Sequence, residues 1–134
     1  MNLMEIKIIY CLISILFLSC NTDKFMNYQY SDGNNNTYTI TYEMINYYPL
    51  GSELSSSGNY NGGCRFSKPL SKTDYQQIQK LFQKAISNKS IHLKSRVMMS
   101  GLVKIEKDGQ IYVYILQPGS QEKIAIEEYL ALLH

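Results

Sequence analysis

Cys64, His92 and Asp74 are the residues whose types match nucleophilic catalysis, with a thiolate to attack, an imidazole to take its proton and a carboxylate to orient the ring. Their separation in sequence neither makes nor excludes such a site. Gly62-Gly63-Cys64-Arg65-Phe66, however, carries no nucleophile signature, and 134 residues is short for a cleft enzyme. His134 is the last residue and is expected to fray. No pair of His or Cys stands at metal-ligand spacing, and Asp and Glu are dispersed. Glu127 and Glu128 are adjacent in a helical segment and so point to different sides. The Gly/Ser-rich stretch before Cys64 lacks the Gly-Lys-Ser/Thr ending of a phosphate-cradling loop. Arg65 and Arg96 suit bidentate contacts, and suit structural ion pairs equally well. These residues point to a protein without catalytic machinery, cofactor or metal.

A second thiol, Cys20, stands in a different setting. Lys7 and the amino terminus open a weakly positive segment, and Ile8–Leu18 is an almost unbroken apolar run ending in Phe17-Leu18-Ser19-Cys20. That run has about 11 residues, the length of an export-signal core and well short of the roughly 20 needed to span hydrocarbon. Phe17-Leu18-Ser19-Cys20 resembles the lipobox of bacterial lipoprotein signal peptides. The resemblance covers residues 1–20 alone. It implies that residues 1–19 are removed and that the Cys20 sulfur carries a diacylglycerol, usually with a further acyl chain on its amine. Two or more chains anchor a protein stably, whereas one is marginal. Residues 20–27 then form the lipidated Cys and a short tether, and 28–134 a single domain.

Composition agrees with export. Cys11 leaves with the signal and Cys20 is lipidated, so Cys64 has no intramolecular partner, and a lone thiol of this kind is most often a small, partly buried side chain. Removing residues 1–19 takes away Glu5 and Lys7 together and leaves the net charge near +2. That is too little, and the lysines too scattered, for a nucleic-acid partner. Twelve Tyr and no Trp are present; Tyr suits strands, where its ring packs while its hydroxyl stays wet.

Periodicity supplies the elements. Tyr28-Gln29-Tyr30 starts a strand, Ser31–Asn36 is a turn, and Thr37–Tyr48 reads as one strand with Tyr38, Ile40, Tyr42 and Met44 on a common face. Pro49–Gly63 has no period. Ser71 and Asp74 form a capping pattern, with Leu70 and Tyr75 placed as a hydrophobic staple, and open a helix with the stripe Tyr75, Ile78, Leu81, Phe82, Ala85 and Ile86, ending near Asn88. Asp108-Gly109 signals a two-residue hairpin that sets Lys107 against Gln110, Ile105 against Tyr112 and Val103 against Tyr114. Both faces of that hairpin are partly apolar. Ser120 opens a last helix. The order predicts an α+β fold, a small antiparallel sheet of about four strands with two helices on one face.

The function expected from this is a membrane-anchored envelope lipoprotein that works as a non-catalytic binding module for a protein partner, including an inhibitor or immunity-type role. Ser57, Asn59, Tyr60 and Asn61 form the candidate binding loop, because Ser, Gly and Asn adapt and Tyr anchors in recognition loops. A glycan- or peptidoglycan-binding alternative rests on Tyr47, Tyr48 and Tyr60 as stacking rings. A small hydrolase would need Cys64 and His92 within hydrogen-bond reach.

Overall fold

The computed structural model describes residues 25–134. The signal segment, Cys20 and the tether through Lys24 lie outside the described residues. Seven strands and two helices follow in the order β1 (Asn27–Ser31), β2 (Thr37–Ile40), β3 (Met44–Tyr48), β4 (Phe66–Pro69), α1 (Lys72–Ser87), β5 (His92–Leu93), β6 (Gly101–Lys107), β7 (Gln110–Leu116) and α2 (Gln121–Leu132). Short 3-10 helices stand at Ser52–Leu54 and Lys89–Ile91. The strands form one sheet, β4-β3-β2-β1-β6-β7-β5, in which every pair is antiparallel. The fold is α+β, with β1 joining the first hairpin to the second through its register with β6, Tyr28 opposite Ile105 and Tyr30 opposite Val103.

Both helices lie on one face. The core combines Tyr28, Tyr30, Tyr38, Ile40, Ile45, Tyr47, Val103, Ile105 and Leu116 from the sheet with Tyr75, Ile78, Phe82 and Ala85 from α1 and Ile126 and Leu130 from α2. The Phe82 ring sits 5.0 Å from Tyr28 and 6.1 Å, edge-on, from Tyr30, centroid to centroid, within the range where aromatic pairs attract beyond simple burial. Ser71 caps α1 as its spacing predicts: its Oγ accepts from the Asp74 N–H at 3.0 Å and donates to Asp74 Oδ2 at 2.6 Å. Tyr129 of α2 donates to the other oxygen of Asp74 at 2.7 Å, tying the two helices together. Those two hydroxyls, Ser71 first, hold the Asp74 carboxyl below its ordinary range. Ser120 holds the N-cap backbone position of α2, but its hydroxyl makes no capping bond.

The expectation of about four strands is too low, for identifiable reasons. Thr37–Tyr48 is two strands, because Thr41–Glu43 turns the chain: Thr41 N–H donates to Met44 O at 2.9 Å and Thr41 Oγ1 accepts from Met44 N–H at 3.1 Å. The turn resets the alternation, so Ile45 and Tyr47 face the core in β3 rather than Met44. β4 is a short edge strand paired with β3, and β5 is a two-residue strand paired with β7. Neither is long enough to show a period. Nor does His134 fray: its Nε2 lies 3.1 Å from the Tyr38 hydroxyl, and its ring packs edge-on against Tyr47 and Phe66.

A candidate binding groove

The Asp108-Gly109 turn has positive φ at both positions, 53° and 74°, and closes the β6–β7 hairpin in the register the sequence predicts. The ambiguity between its two faces is resolved by burial. Val103, Ile105 and Leu116 meet the helices, whereas Ile111 and Val113 point to the open face of the sheet and are 69% and 53% exposed. The lower half of β7 runs past the C-terminal end of α1, and a groove of about 800 Å³ opens between them. Met26, Tyr28, Ile86, Ile105, Tyr112 and Tyr114 supply its apolar surface, and Gln83, Ser87, Lys107, Asp108 and Gln110 its polar groups. Its size lies within the range of functional pockets, and its lining is divided almost evenly between polar and apolar surface. The Tyr112 hydroxyl donates to Gln110 Oε1 at 2.7 Å and so orients both side chains at the mouth.

Tyr28 stands at the inner wall. It is 3% exposed, and its hydroxyl has no hydrogen-bond partner. Burial, with Tyr75 adding to it, pushes this phenol up to about 12. The Gln79 amide offsets part of the rise without reaching hydrogen-bond geometry.

The opposite end of the sheet is a closed polar cluster. Asn36, which is buried, donates through Nδ2 to Asp32 Oδ2 and to the Tyr60 hydroxyl, each at 2.7 Å, and accepts at Oδ1 from Leu50 N–H at 2.9 Å. Tyr47 donates to the Gly62 carbonyl at 2.6 Å. A Cβ at Gly62 would collide with Asn36 Oδ1. Tyr60 therefore spends its hydroxyl pinning its own loop to the β1–β2 turn, and its ring is half-buried. Ser57, Asn59 and Asn61 are exposed on that loop. Nearby, Tyr30 donates to Glu127 Oε1 at 2.7 Å, and the buried Lys123 bonds both Glu127 oxygens at 2.8 and 2.9 Å. Lys123 and Glu127 border a hollow of about 240 Å³. Glu127, Lys123 and Tyr30 already satisfy one another, so the hollow offers a ligand few unpaired groups.

The other sequence candidates are not brought together. Cys64 is exposed just before β4, and His92 is in β5. Those are the two edges of a seven-stranded sheet, so at about 4.8 Å per strand they stand roughly 29 Å apart. His92 Nε2 is 2.9 Å from the Ala85 carbonyl, and Asp74 is committed to the α1 cap. The three proposed stacking rings do not share an open surface either. Tyr47 is buried, Tyr60 is tied to Asn36, and Arg65 lies 4.5 Å over the ring of Tyr48. Among the described residues no helix is long and apolar enough to cross a membrane.

Sequence alone does not mark Ile111, Tyr112 and Val113 as exposed: the run Ile111–Leu116 is apolar on both faces, in a strand that alternation would make half polar. No family model matches the chain, and no curated protein or solved structure is significantly similar to it.

Proposed function

We propose that the chain is a bacterial envelope lipoprotein, anchored through Cys20, that acts as a non-catalytic binding module for a protein partner. The groove between α1 and the β6–β7 hairpin is the binding surface in this reading. The observation that carries it is the exposure of Tyr112 at a preformed groove of mixed polar and apolar lining, with Ile111 and Val113 of the same strand exposed on the open face of the sheet, since exposed apolar surface marks interaction sites. The tether supports the same placement. Five residue steps separate Cys20 from Phe25, a reach of at most about 18 Å. Met26, the next residue, lines the groove. A lipidated Cys20 would thus hold the groove within reach of the membrane surface and of partners in it.

Two measurements test this reading. Intact mass of the membrane-extracted protein should show loss of residues 1–19 and added acyl mass, and a Cys20→Ala protein should lose both. A Gln83→Arg, Ser87→Arg variant, which crowds the groove from the exposed side of α1, should keep the wild-type melting temperature and lose a partner that wild-type protein captures after mild cross-linking. An unchanged set of captured proteins would contradict the groove as binding surface.

A further inference from the structure

The free edge of β7 and the groove beside it have the geometry of a strand-addition site. In the two-residue turn, Lys107 and Gln110 exchange both backbone hydrogen bonds, and the pattern alternates along the hairpin. The backbone N–H and C=O of Ile111 and Val113 therefore point away from β6. Among the described residues, β5 covers only Ile115 and Leu116 on that side. An uncovered, apolar edge is a template for another strand. An added strand would gain main-chain bonds to Ile111 and Val113 and send alternate side chains to opposite faces. The residue opposite Tyr112 would enter the groove, and its two neighbours would pack over Ile111 and Val113 on the open face.

We infer that this edge binds, antiparallel like every pair in the sheet, an extended segment of a partner protein with apolar residues at these three positions. The inference rests on the groove as the binding surface and deepens it by naming the form of the partner. A second copy of the chain does not fit the same edge. In a two-fold antiparallel pair centred on Tyr112, Gln110 of the second copy falls opposite Tyr114, and its Gly109 then falls opposite Ile115, a place Leu93 already holds. Such a copy could pair over only part of the edge, a contact of a few residues against the roughly 20–30 a side of a stable interface. A separate strand that ends opposite Tyr114 avoids the place of Leu93 and fills the groove as well.

The probe is the peptide Thr-Val-Phe-Val-Thr-Lys-amide with fluorescein on the Lys side chain, titrated by anisotropy against the full chain in detergent. With Phe opposite Tyr112 its first Thr lies opposite Tyr114, so it ends short of the place that Leu93 holds. Saturable binding is expected. N-methylation of either Val, whose N–H faces β7 in this register, should weaken it by about tenfold or more, whereas N-methylation of Phe, whose N–H faces away, should leave it within about twofold. Val113→Pro removes an outward donor at an edge position where Pro is tolerated, and should give a similar loss with an unchanged melting temperature. No binding by about 1 mM, or equal binding of all methylated peptides, would overturn the inference. So would a dimer, seen by sedimentation, that Val113→Pro dissociates. If the groove variants lose the captured partner while Val113→Pro and the methylated peptides have no effect, strand addition fails and the groove reading stands.

Discussion

The Tyr30 hydroxyl lies 2.7 Å from Glu127 Oε1, and the same hydroxyl would be 2.6 Å from a Cβ at Gly101. One buried phenol thus fixes two distant features, the seat of α2 on the sheet and the absence of a side chain at the start of β6. Burial, with the Glu127 carboxylate next, drives the Tyr30 phenol well above its ordinary range and keeps it a donor.

Gly101→Ala should therefore cost about 1–3 kcal/mol, because Tyr30 is fully buried and has nowhere to move. Tyr30→Phe should cost about 1.5–3 kcal/mol through loss of a bond to a charged acceptor. The double variant should be more stable than the sum of the two losses implies, since Phe lacks the atom that the new methyl meets. Urea titration of the four proteins checks this, and strict additivity would show that the two residues do not share the space.

A core built on tyrosine should fail in alkali. The Tyr28 and Tyr129 phenols are raised from their ordinary value of 10 to about 12. Below pH 10 both folded and unfolded chains keep these protons, and the stabilisation is fully present. Between pH 10 and about 12 the unfolded chain releases protons that the folded chain still holds, so stability falls as pH rises. Tyr28→Phe removes one such group together with an unpartnered buried hydroxyl. At pH 7 it should be neutral or stabilising by up to about 1 kcal/mol, and its alkaline loss should be shallower. Thermal melts from neutral pH up through the ordinary tyrosine range, about 10, and on toward 12 measure both effects.

Tyr60 should behave as a structural residue. Its hydroxyl accepts from buried Asn36, so Tyr60→Phe should cost about 1 kcal/mol and Asn36→Ala about 2–3 kcal/mol, the latter orphaning the Leu50 N–H as well. Both would show as lower denaturant midpoints. If Tyr60→Phe leaves the midpoint unchanged, the Asn36–Tyr60 bond does not hold the loop.

Features carried by adjacent residues were legible in the sequence. Ser71 and Asp74 cap a helix within four positions, and Asp108-Gly109 sets a hairpin register by itself. The turn at Thr41–Glu43 has no Gly, Pro or Asn to announce it, and it hides inside an alternating run. β4 and β5 exist because β3 and β7 present edges to them, which no local pattern records. The open part of β7 is invisible for the same reason. Ile111 and Val113 look like core until both helices are seen to lie on the other face of the sheet, and the shortness of β5 leaves the edge of their strand without a neighbour among the described residues. Tyr60 illustrates the converse: its loop has a recognition-loop composition, but Asn36, 24 positions earlier, takes its hydroxyl.

Site-specific photocross-linking tests the central claim most directly. A benzophenone side chain replaces Gln83 at the groove or, in a second protein, Asn59 at the loop tip, each in the full chain in intact envelopes. Irradiation should give one defined protein adduct from position 83, lost when Cys20 is also changed to Ala, and none from position 59. An adduct from position 59 with none from position 83 would place the binding surface on the loop and contradict the account.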